Sequence, residues 1–211
     1  MRLSNILVWG AAGGIGRALV ASFAARGHTV VAVARQPREL ETLTPHIVTG
    51  AVDDPEQVTA AVRRAIEVAS TFDVFTYAVG DIASVKIAEM APEDWRRIMD
   101  ANLAGVYLTT RAALPYLASQ AHLFFLGAPH ERLRLPGLGA YAAAKAGIEA
   151  LAEVIRKETR RRVTVVRPQA VRTPMWEKVP FRVPANALSP EQVAQAIVQA
   201  WEQGQEGILD L

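Results

Sequence analysis

The sequence predicts an α/β fold: a doubly wound parallel sheet of about seven strands with helices on both faces. Short apolar runs rich in β-branched residues alternate along the chain with helix-like stretches. Such runs are typical of parallel strands buried on both faces, and the helices connect one strand to the next. A glycine-rich segment, WGAAGGIG at 9–16, separates the first strand from the first helix. The 211 residues suit one domain, and no linker or repeat interrupts them.

The predicted elements follow one another in a regular order. Strands are predicted where the runs are apolar and β-branched, at 6–9, 29–34, 47–50, 72–78, 123–126, 163–166 and 208–211. Helices are predicted at 15–26, 55–70, 92–119, 141–160 and 190–203. Gly27 closes the first helix, and Asp53 and Asp54 precede Pro55 as candidate caps. Pro115 is expected to bend the long third helix.

The segment 174–188 is the least regular part of the chain. It carries three prolines, the aromatic residues Trp176 and Phe181, and several charges. Prolines at this density interrupt both helices and strands. We therefore expect a short substrate-binding loop here.

Composition and charge narrow the class of protein. The net charge is only +2, no basic block is long enough for a nucleic-acid arm, and the chain has no cysteine. The four histidines show no ligand spacing, so neither nucleic acid nor a metal ion is expected. The apolar runs are far shorter than the roughly 20 residues of a membrane span, and the N-terminus lacks the pattern of a signal peptide. We expect a cytoplasmic protein that acts on a small molecule, without a membrane partner.

The glycine loop points to a dinucleotide. Gly10, Gly14 and Gly16 leave no side chain where a pyrophosphate would approach the helix N-terminus. Free backbone N–H groups and the helix dipole favour an anion there. Because the loop follows an N-terminal strand and opens a helix, it predicts a dinucleotide-binding domain of the Rossmann type over 1–211.

The end of the second strand favours NADP over NAD as the cofactor. Ala34 occupies the position where an acidic residue would bind the ribose hydroxyls, and Arg35 follows it. A guanidinium can hold a 2′-phosphate with two hydrogen bonds, and Arg38 could assist. A solvated loop arginine is the alternative interpretation of Arg35.

These residues resemble the short-chain dehydrogenase/reductase family over nearly the whole chain. The matching motifs are the glycine motif, the asparagine of the fourth helix, the YxxxK pair, the glycine after strand four and the segment after strand six. In this sequence they fall on Gly10, Gly14, Ile15, Gly16, Gly80, Asn102, Tyr141, Lys145, Pro168, Val171 and Thr173.

The resemblance implies a hydride transfer between a nicotinamide and a carbonyl or alcohol. It makes Tyr141 the proton donor or acceptor, and it gives Asn102 a water that relays protons to solvent. Lys145 lies one helical turn from Tyr141, so its charge is expected to lower the pKa of the tyrosine. The lysine is also expected to bind the nicotinamide ribose. The family commonly forms dimers and tetramers through its fourth and fifth helices, so a homodimer or homotetramer is expected.

The sequence departs from the family pattern at the substrate. Ala128 stands where the family has the serine that binds the substrate carbonyl, and the family motif NNAG appears as YAVG at 77–80. Losing one donor to an oxyanion costs about 10²–10³ in turnover. His130, Gln169 or a water is a candidate replacement.

Three functions are consistent with these sequence features. The leading hypothesis is an NADP-dependent oxidoreductase acting on a small carbonyl or alcohol. The alternatives are an NADP(H)-binding regulator or weakly active pseudoenzyme, and a non-catalytic subunit. Arg132, Arg134 and Arg182 suggest an anionic substrate, although solvated surface charges are the simpler explanation.

Overall fold

A computed structural model describes residues 3–37 and 39–211. Seven strands form one parallel sheet in the order β3-β2-β1-β4-β5-β6-β7, which confirms the predicted doubly wound fold. The strands are β1 Asn5–Trp9, β2 Thr29–Ala34, β3 Ile47–Thr49, β4 Phe72–Tyr77, β5 Leu117–Leu126, β6 Arg162–Arg167 and β7 Gly207–Asp210.

Six α-helices of the described residues connect these strands. They are α1 Gly14–Ala24, α2 Pro55–Val68, α3 Pro92–Met99, α4 Gly105–Ala113, α5 Gly139–Thr159 and α6 Pro190–Gln203. A π-helical turn at Asp100–Ala104 joins α3 to α4. Short 3₁₀ turns lie at Leu114–Tyr116, His130–Leu133 and Pro174–Lys178. Within 3–37 and 39–211, none of the helices combines the length and apolar character that crossing a membrane requires.

The two faces of the sheet carry separate apolar cores. Side chains alternate along β1, so Leu7 and Trp9 pack with α2, α4 and α5, while Ile6 and Val8 pack with α1 and α6. These four residues of β1 are at most 1% exposed. Because both faces of the sheet are buried, successive residues of a strand are all apolar, which is the pattern from which the strands were predicted.

Local signals place several helix ends. The Asp54 carboxylate accepts hydrogen bonds from the Glu56 and Gln57 amides, which confirms it as the cap of α2. Ser189 caps α6 through a reciprocal pair of bonds with Gln192. Gly27, after α1, has φ +82°, the left-handed conformation that glycine adopts without strain.

The predicted helical region at 92–119 is helical as far as Tyr116, and its predicted end and the strand start predicted at 123 are wrong. The helical segment ends with the 3₁₀ turn around Pro115, whose nitrogen has no hydrogen to donate, and β5 begins at Leu117. The register shifts between the pairs Phe72–Leu117 and Val74–His122, so β5 contains an irregularity of the bulge type. The exposed polar residues at 119 and 120 lie in this stretch and hid the start of the strand.

The strand order reverses between β1 and β4. In open parallel sheets, ligands bind at the carboxyl ends of the strands beside such a switch point. The loops that follow β1, β4, β5 and β6 all leave the sheet at this edge, and they carry most of the motifs noted in the sequence.

Candidate active site

The glycine loop after β1 is held in place by backbone contacts. The amides of Gly10 and Ala11 both donate to the carbonyl of Val33, at 3.0 and 3.1 Å. Gly10 has φ +79°, and a Cβ on it would lie 2.7 Å from the Ala78 carbonyl carbon. A Cβ on Gly16 would lie 2.1 Å from the Gly10 oxygen. Both positions require glycine, because any side chain would displace the backbone of the loop.

The N-terminus of α1 is suited to an anion. The residue before α1 is Gly13, which has no side chain to cap the helix, and the first turn of α1 contains no acidic residue. A Cβ on Gly14 would lie 2.8 Å from Thr173 Cγ2, so the loop after β6 packs directly on the glycine loop. The first-turn amides and the helix dipole are therefore available to a pyrophosphate, and the residues present fit a dinucleotide.

The residues that follow β2 carry no carboxylate for a ribose. Ala34 is 5% exposed, and Arg35 beside it is exposed. Within the described part of the chain, no acidic side chain lies within ion-pair distance of Arg35. Arg38, the second candidate for a 2′-phosphate, lies outside the described residues. A cation without a neighbouring carboxylate suits a phosphate better than a diol.

Tyr141 and Lys145 lie one turn apart near the start of α5. Lys145 is only 3% exposed, and its Nζ donates to the Leu126 carbonyl at 2.7 Å. The same Nζ lies 5.4 Å from the centroid of the Tyr141 ring. Leu126 is the last residue of β5, so the hydrogen bond fixes the helix against the carboxyl end of the sheet.

Burial shifts the pKa values of both side chains toward their neutral forms. It lowers the pKa of Lys145 to about 7 and raises the pKa of Tyr141 to about 12. The direction for Tyr141 is opposite to the expectation that Lys145 lowers it. The physical reason is that the phenol is itself desolvated, which disfavours the phenolate. The Lys145 Nζ meanwhile donates to the Leu126 carbonyl.

Asn102 lies in the middle of the π-helical turn and is fully buried. Its Nδ2 donates to the carbonyls of Asp81 and Ile98, at 2.7 and 2.9 Å. Among the described residues, its Oδ1 has no hydrogen-bond partner. A Cβ on Gly80 would lie 3.3 Å from this oxygen, so the structure brings Asn102 and the loop after β4 together. An unpaired buried oxygen is costly unless a water or ligand completes it.

Ala128 is buried beside the end of β5, and both proposed substitutes for its missing hydroxyl are engaged elsewhere. His130 Nε2 lies 3.4 Å from Glu131 and 3.6 Å from Glu149. The Gln169 side-chain oxygen accepts from Arg132 at 2.7 Å. The Gln169 amide nitrogen, the donor that a substrate carbonyl would need, takes no part in the bond to Arg132.

The segment after β6 covers the glycine loop. Pro168 is buried, and Val171 pairs with Leu188 in an isolated bridge. The Trp176 indole donates to the Val171 carbonyl at 2.7 Å. Thr173 packs on the glycine loop, as described above. An open cavity of about 420 Å³ adjoins this segment, lined by Arg172, Thr173, Pro174, Glu177, Val183, Pro184 and Ala185.

One ion pair closes the short loop onto the loop after β4. Lys178 Nζ donates to the Asp81 carboxylate at 2.6 Å, and Arg97 also pairs with this carboxylate. This contact was not predicted from the sequence. The two residues are 97 positions apart, so no local pattern could have revealed the contact.

The sheet topology and the position of the glycine loop define a Rossmann-type α/β protein with a buried lysine and a half-buried tyrosine one turn apart. Residues 4–182 match the family model described as short chain dehydrogenase. The chain belongs to this family of oxidoreductases, whose members bind NAD(P)H.

Curated relatives agree with this assignment, and a solved structure agrees with the fold. The chain is 31% identical to the 3-oxoacyl-(acyl-carrier-protein) reductase FabG of Thermotoga maritima, over 94% of this chain and 91% of the relative. It is 27% identical to the sepiapterin reductase of Chlorobaculum tepidum, over 97% and 93%. The ligand-free aldohexose dehydrogenase of Thermoplasma acidophilum superposes with a TM-score of 0.86 at 23% identity, covering 100% of this chain and 92% of that one.

Proposed function

We propose that the protein is an NADP-dependent oxidoreductase that transfers a hydride between nicotinamide and a small carbonyl or alcohol substrate. The observation that carries the proposal is the pair of half-buried Tyr141 and buried Lys145, fixed to the end of β5 at the sheet edge that also bears the glycine loop. A structural tyrosine and lysine would not need this arrangement, since burying a lysine is costly.

The cofactor would be held by residues from four loops. The backbone of Gly10, Gly14, Ile15 and Gly16 would receive the pyrophosphate, and Arg35 would receive the 2′-phosphate. Gly80, Pro168, Val171 and Thr173 would flank the nicotinamide half, and Tyr141 and Lys145 would bind its ribose. When bound, the cofactor supplies or takes up the hydride. NAD remains the less favoured cofactor, because Ala34 provides no carboxylate for the ribose.

Tyr141 would move the proton that accompanies the hydride. With its pKa raised to about 12, the phenol is protonated near neutral pH, which suits donation to a carbonyl oxygen during reduction. The pKa of Lys145, lowered to about 7, lets this side chain exchange a proton near neutral pH. Asn102, with its unpaired Oδ1, would hold the water that passes protons onward.

The substrate carbonyl would be bound without the family serine. Ala128 cannot donate a hydrogen bond, so we assign that role to a water. The missing donor makes turnover slower, by about 10²–10³ relative to a site with a preorganised donor. The segment 174–188 would form the remaining wall of the substrate pocket.

The test measures NADPH oxidation with a panel of aldehydes and ketones. Tyr141→Phe is expected to lower kcat by about 10²–10⁴ and to weaken NADPH binding, followed by fluorescence, by no more than about tenfold, the loss of one hydrogen bond to the ribose. Tyr116→Phe is the matched control, because Tyr116 immediately precedes β5, at the opposite edge of the sheet. Turnover that survives Tyr141→Phe would show that another group moves the proton.

A second candidate is an NADP(H)-binding regulator with little turnover. Ala128 favours it, because a sensor has no need of a substrate-orienting hydroxyl. NADPH binding without turnover of any carbonyl in the panel would select this candidate. Absence of NADPH binding at millimolar concentration would contradict both candidates.

We also propose a cytoplasmic homodimer or homotetramer assembled through α4 and α5. Tyr107 on α4 is 49% exposed and Val154 on α5 is 47% exposed, although both are large and apolar. Exposed apolar residues on two helices of the same sheet face are typical of a subunit interface. Light scattering on the purified protein measures its mass and tests the proposed oligomer. A monomer at micromolar concentration would contradict it.

A further inference from the structure

The last residue of β4, Tyr77, makes one buried contact with the turn that carries Asn102. Its ring is fully buried, and its hydroxyl donates to the Ala101 carbonyl at 2.7 Å. Burial raises the pKa of this phenol above its usual value, so the hydroxyl stays a donor at any physiological pH. At this position the family resemblance places the first asparagine of NNAG, so the phenol is a feature of this chain.

The turn that Tyr77 contacts departs from α-helical geometry. The Gly105 amide donates to the Asp100 carbonyl, five residues back, where an α-helix would use the residue four back. The hydrogen-bond ladder is therefore rearranged around Ala101 and Asn102. A π-helical turn is rare, and it persists only where neighbouring groups compensate its backbone.

Two neighbouring elements, β4 and α5, pack closely against the turn. On the sheet side, a Cβ on Gly105 would lie 2.2 Å from the Tyr77 hydroxyl oxygen, so the phenol fills the space of a side chain at 105. On the side of α5, a Cβ on Gly147 would lie 2.8 Å from Leu103 Cδ2. Gly147 is two residues from Lys145, so the turn packs closely against the helix that carries the tyrosine–lysine pair.

We propose that Tyr77 is a positioning residue for Asn102: its hydroxyl fixes the π-helical turn, and Gly105 makes room for it. The π-helical turn directs Asn102 Nδ2 to the Asp81 carbonyl and leaves Asn102 Oδ1 beside Gly80. The proposal deepens the proposed function and rests on the relay assigned to Asn102. The residue acts through the turn and touches neither cofactor nor substrate.

The first test is the substitution Tyr77→Phe, which removes one oxygen and keeps the ring. We expect kcat to fall about tenfold, because the turn that positions Asn102 loses one hydrogen bond. The affinity for NADPH should stay unchanged, and the pH–rate profile should be displaced. Tyr116→Phe, the control used for Tyr141, should change none of these. An unaltered kcat and pH profile in Tyr77→Phe, with turnover still abolished in Tyr141→Phe, would overturn the positioning role and leave the proposed function standing.

The second test does not depend on activity. Amide hydrogen exchange in Tyr77→Phe should show protection of the Gly105 amide reduced about tenfold, while amides of β1 keep their protection. Gly105→Ala should also destabilise the protein less when combined with Tyr77→Phe than alone, because the closest clash is removed. Unchanged protection at Gly105 together with additive effects of the two substitutions would contradict the proposal, even for a protein with no measurable turnover.

Discussion

Lys145 Nζ donates a hydrogen bond to the Leu126 carbonyl at 2.7 Å, and this bond joins the helix of the YxxxK pair to the last residue of β5. The lysine is held by the backbone, so its position does not depend on a side-chain partner. Its burial has a cost that should be measurable as a pH dependence of stability.

The first prediction concerns this cost. Burial lowers the Lys145 pKa from 10.5 to about 7, so the unfolded chain binds more protons between these values. The free energy of unfolding should therefore rise with pH in this window, by up to about 1.4 kcal/mol per pH unit. This increase should be lost as the pH falls toward 7. Urea denaturation at pH 7 and pH 9 should show the rise in wild type and not in Lys145→Met. Lys157→Met, at an exposed site of the same helix, should keep it.

The second prediction concerns the choice of cofactor. Arg35→Ser removes the exposed guanidinium at the end of β2, so NADPH should bind about 10- to 100-fold more weakly while NADH binding stays the same. Fluorescence titration with both cofactors measures the ratio. Arg63→Ser, on the exposed face of α2, is the control for general loss of charge. Equal weakening of both cofactors would mean that Arg35 does not read the 2′-phosphate.

The third prediction restores the missing donor. Ala128→Ser places a hydroxyl beside the end of β5, and kcat for a good carbonyl substrate should rise, by at most about 10²–10³. Ala143→Ser, at an exposed position on α5, should leave kcat unaltered. A kcat that does not rise in Ala128→Ser would indicate that a group already present, or a bound water, does the work of the hydroxyl.

The fourth prediction concerns the ion pair that closes the loop at 174–188. Lys178 is 55% exposed, so its pair with Asp81 contributes only about 0.2–1 kcal/mol, and removing it should open the loop several-fold more often. Chymotrypsin should then cleave after Phe181 correspondingly faster in Lys178→Met. Lys86→Met, which removes another exposed lysine, is the matched control. Unchanged cleavage would mean that Trp176 and Thr173 hold the loop without the ion pair.

The fifth prediction concerns His122, which is buried in β5 and stacks on Phe124 with ring centroids 4.0 Å apart. The Thr164 hydroxyl donates to the Gln205 carbonyl, so His122 Nε2 must carry the hydrogen that it shares with Thr164. Burial, and next the charge of Arg162, lower the His122 pKa to about 3, so the folded protein keeps the ring neutral.

Stability should accordingly fall as pH drops from about 6.5 toward 3, because protonation of His122 favours the unfolded chain. Guanidinium denaturation between pH 7 and pH 5 should show a shallower loss in His122→Phe than in wild type. His28, whose pKa burial and Arg26 also lower, adds a smaller loss of the same sign. His46→Gln provides the comparison for a partly exposed histidine. Identical slopes in His122→Phe and wild type would contradict the assignment.

Much of the fold could be predicted because its signals are local. Buried parallel strands must be apolar on both faces, and therefore β2 and α6 were predicted at their observed bounds. The path of the glycine loop follows from steric limits at Gly10 and Gly16, which hold wherever the motif occurs. Asp54 could be identified as a cap from its place before Pro55.

The missed features depend on contacts between distant residues. β5 begins at Leu117 because it pairs with β4, and its exposed polar residues give no strand signal. The π-helical turn at Asn102 has no periodicity of its own within a long helical pattern. The raised pKa of Tyr141 comes from the packing of the whole site around it, which the YxxxK spacing alone does not reveal.

The contact between Tyr77 and Gly105 has a consequence for how this sequence can change over time. A Cβ at 105 would lie 2.2 Å from the phenolic oxygen, and its next neighbours are the Asp100 carbonyl oxygen at 2.9 Å and Val52 Cβ at 3.0 Å. Loss of the hydroxyl at 77 removes the closest of these contacts, so a lineage that loses it first gains a side chain at 105 at a lower cost in stability than one that takes the steps in the reverse order. A saturation library built on Tyr77→Phe should therefore accept alanine at 105 more often than the same library on the parent.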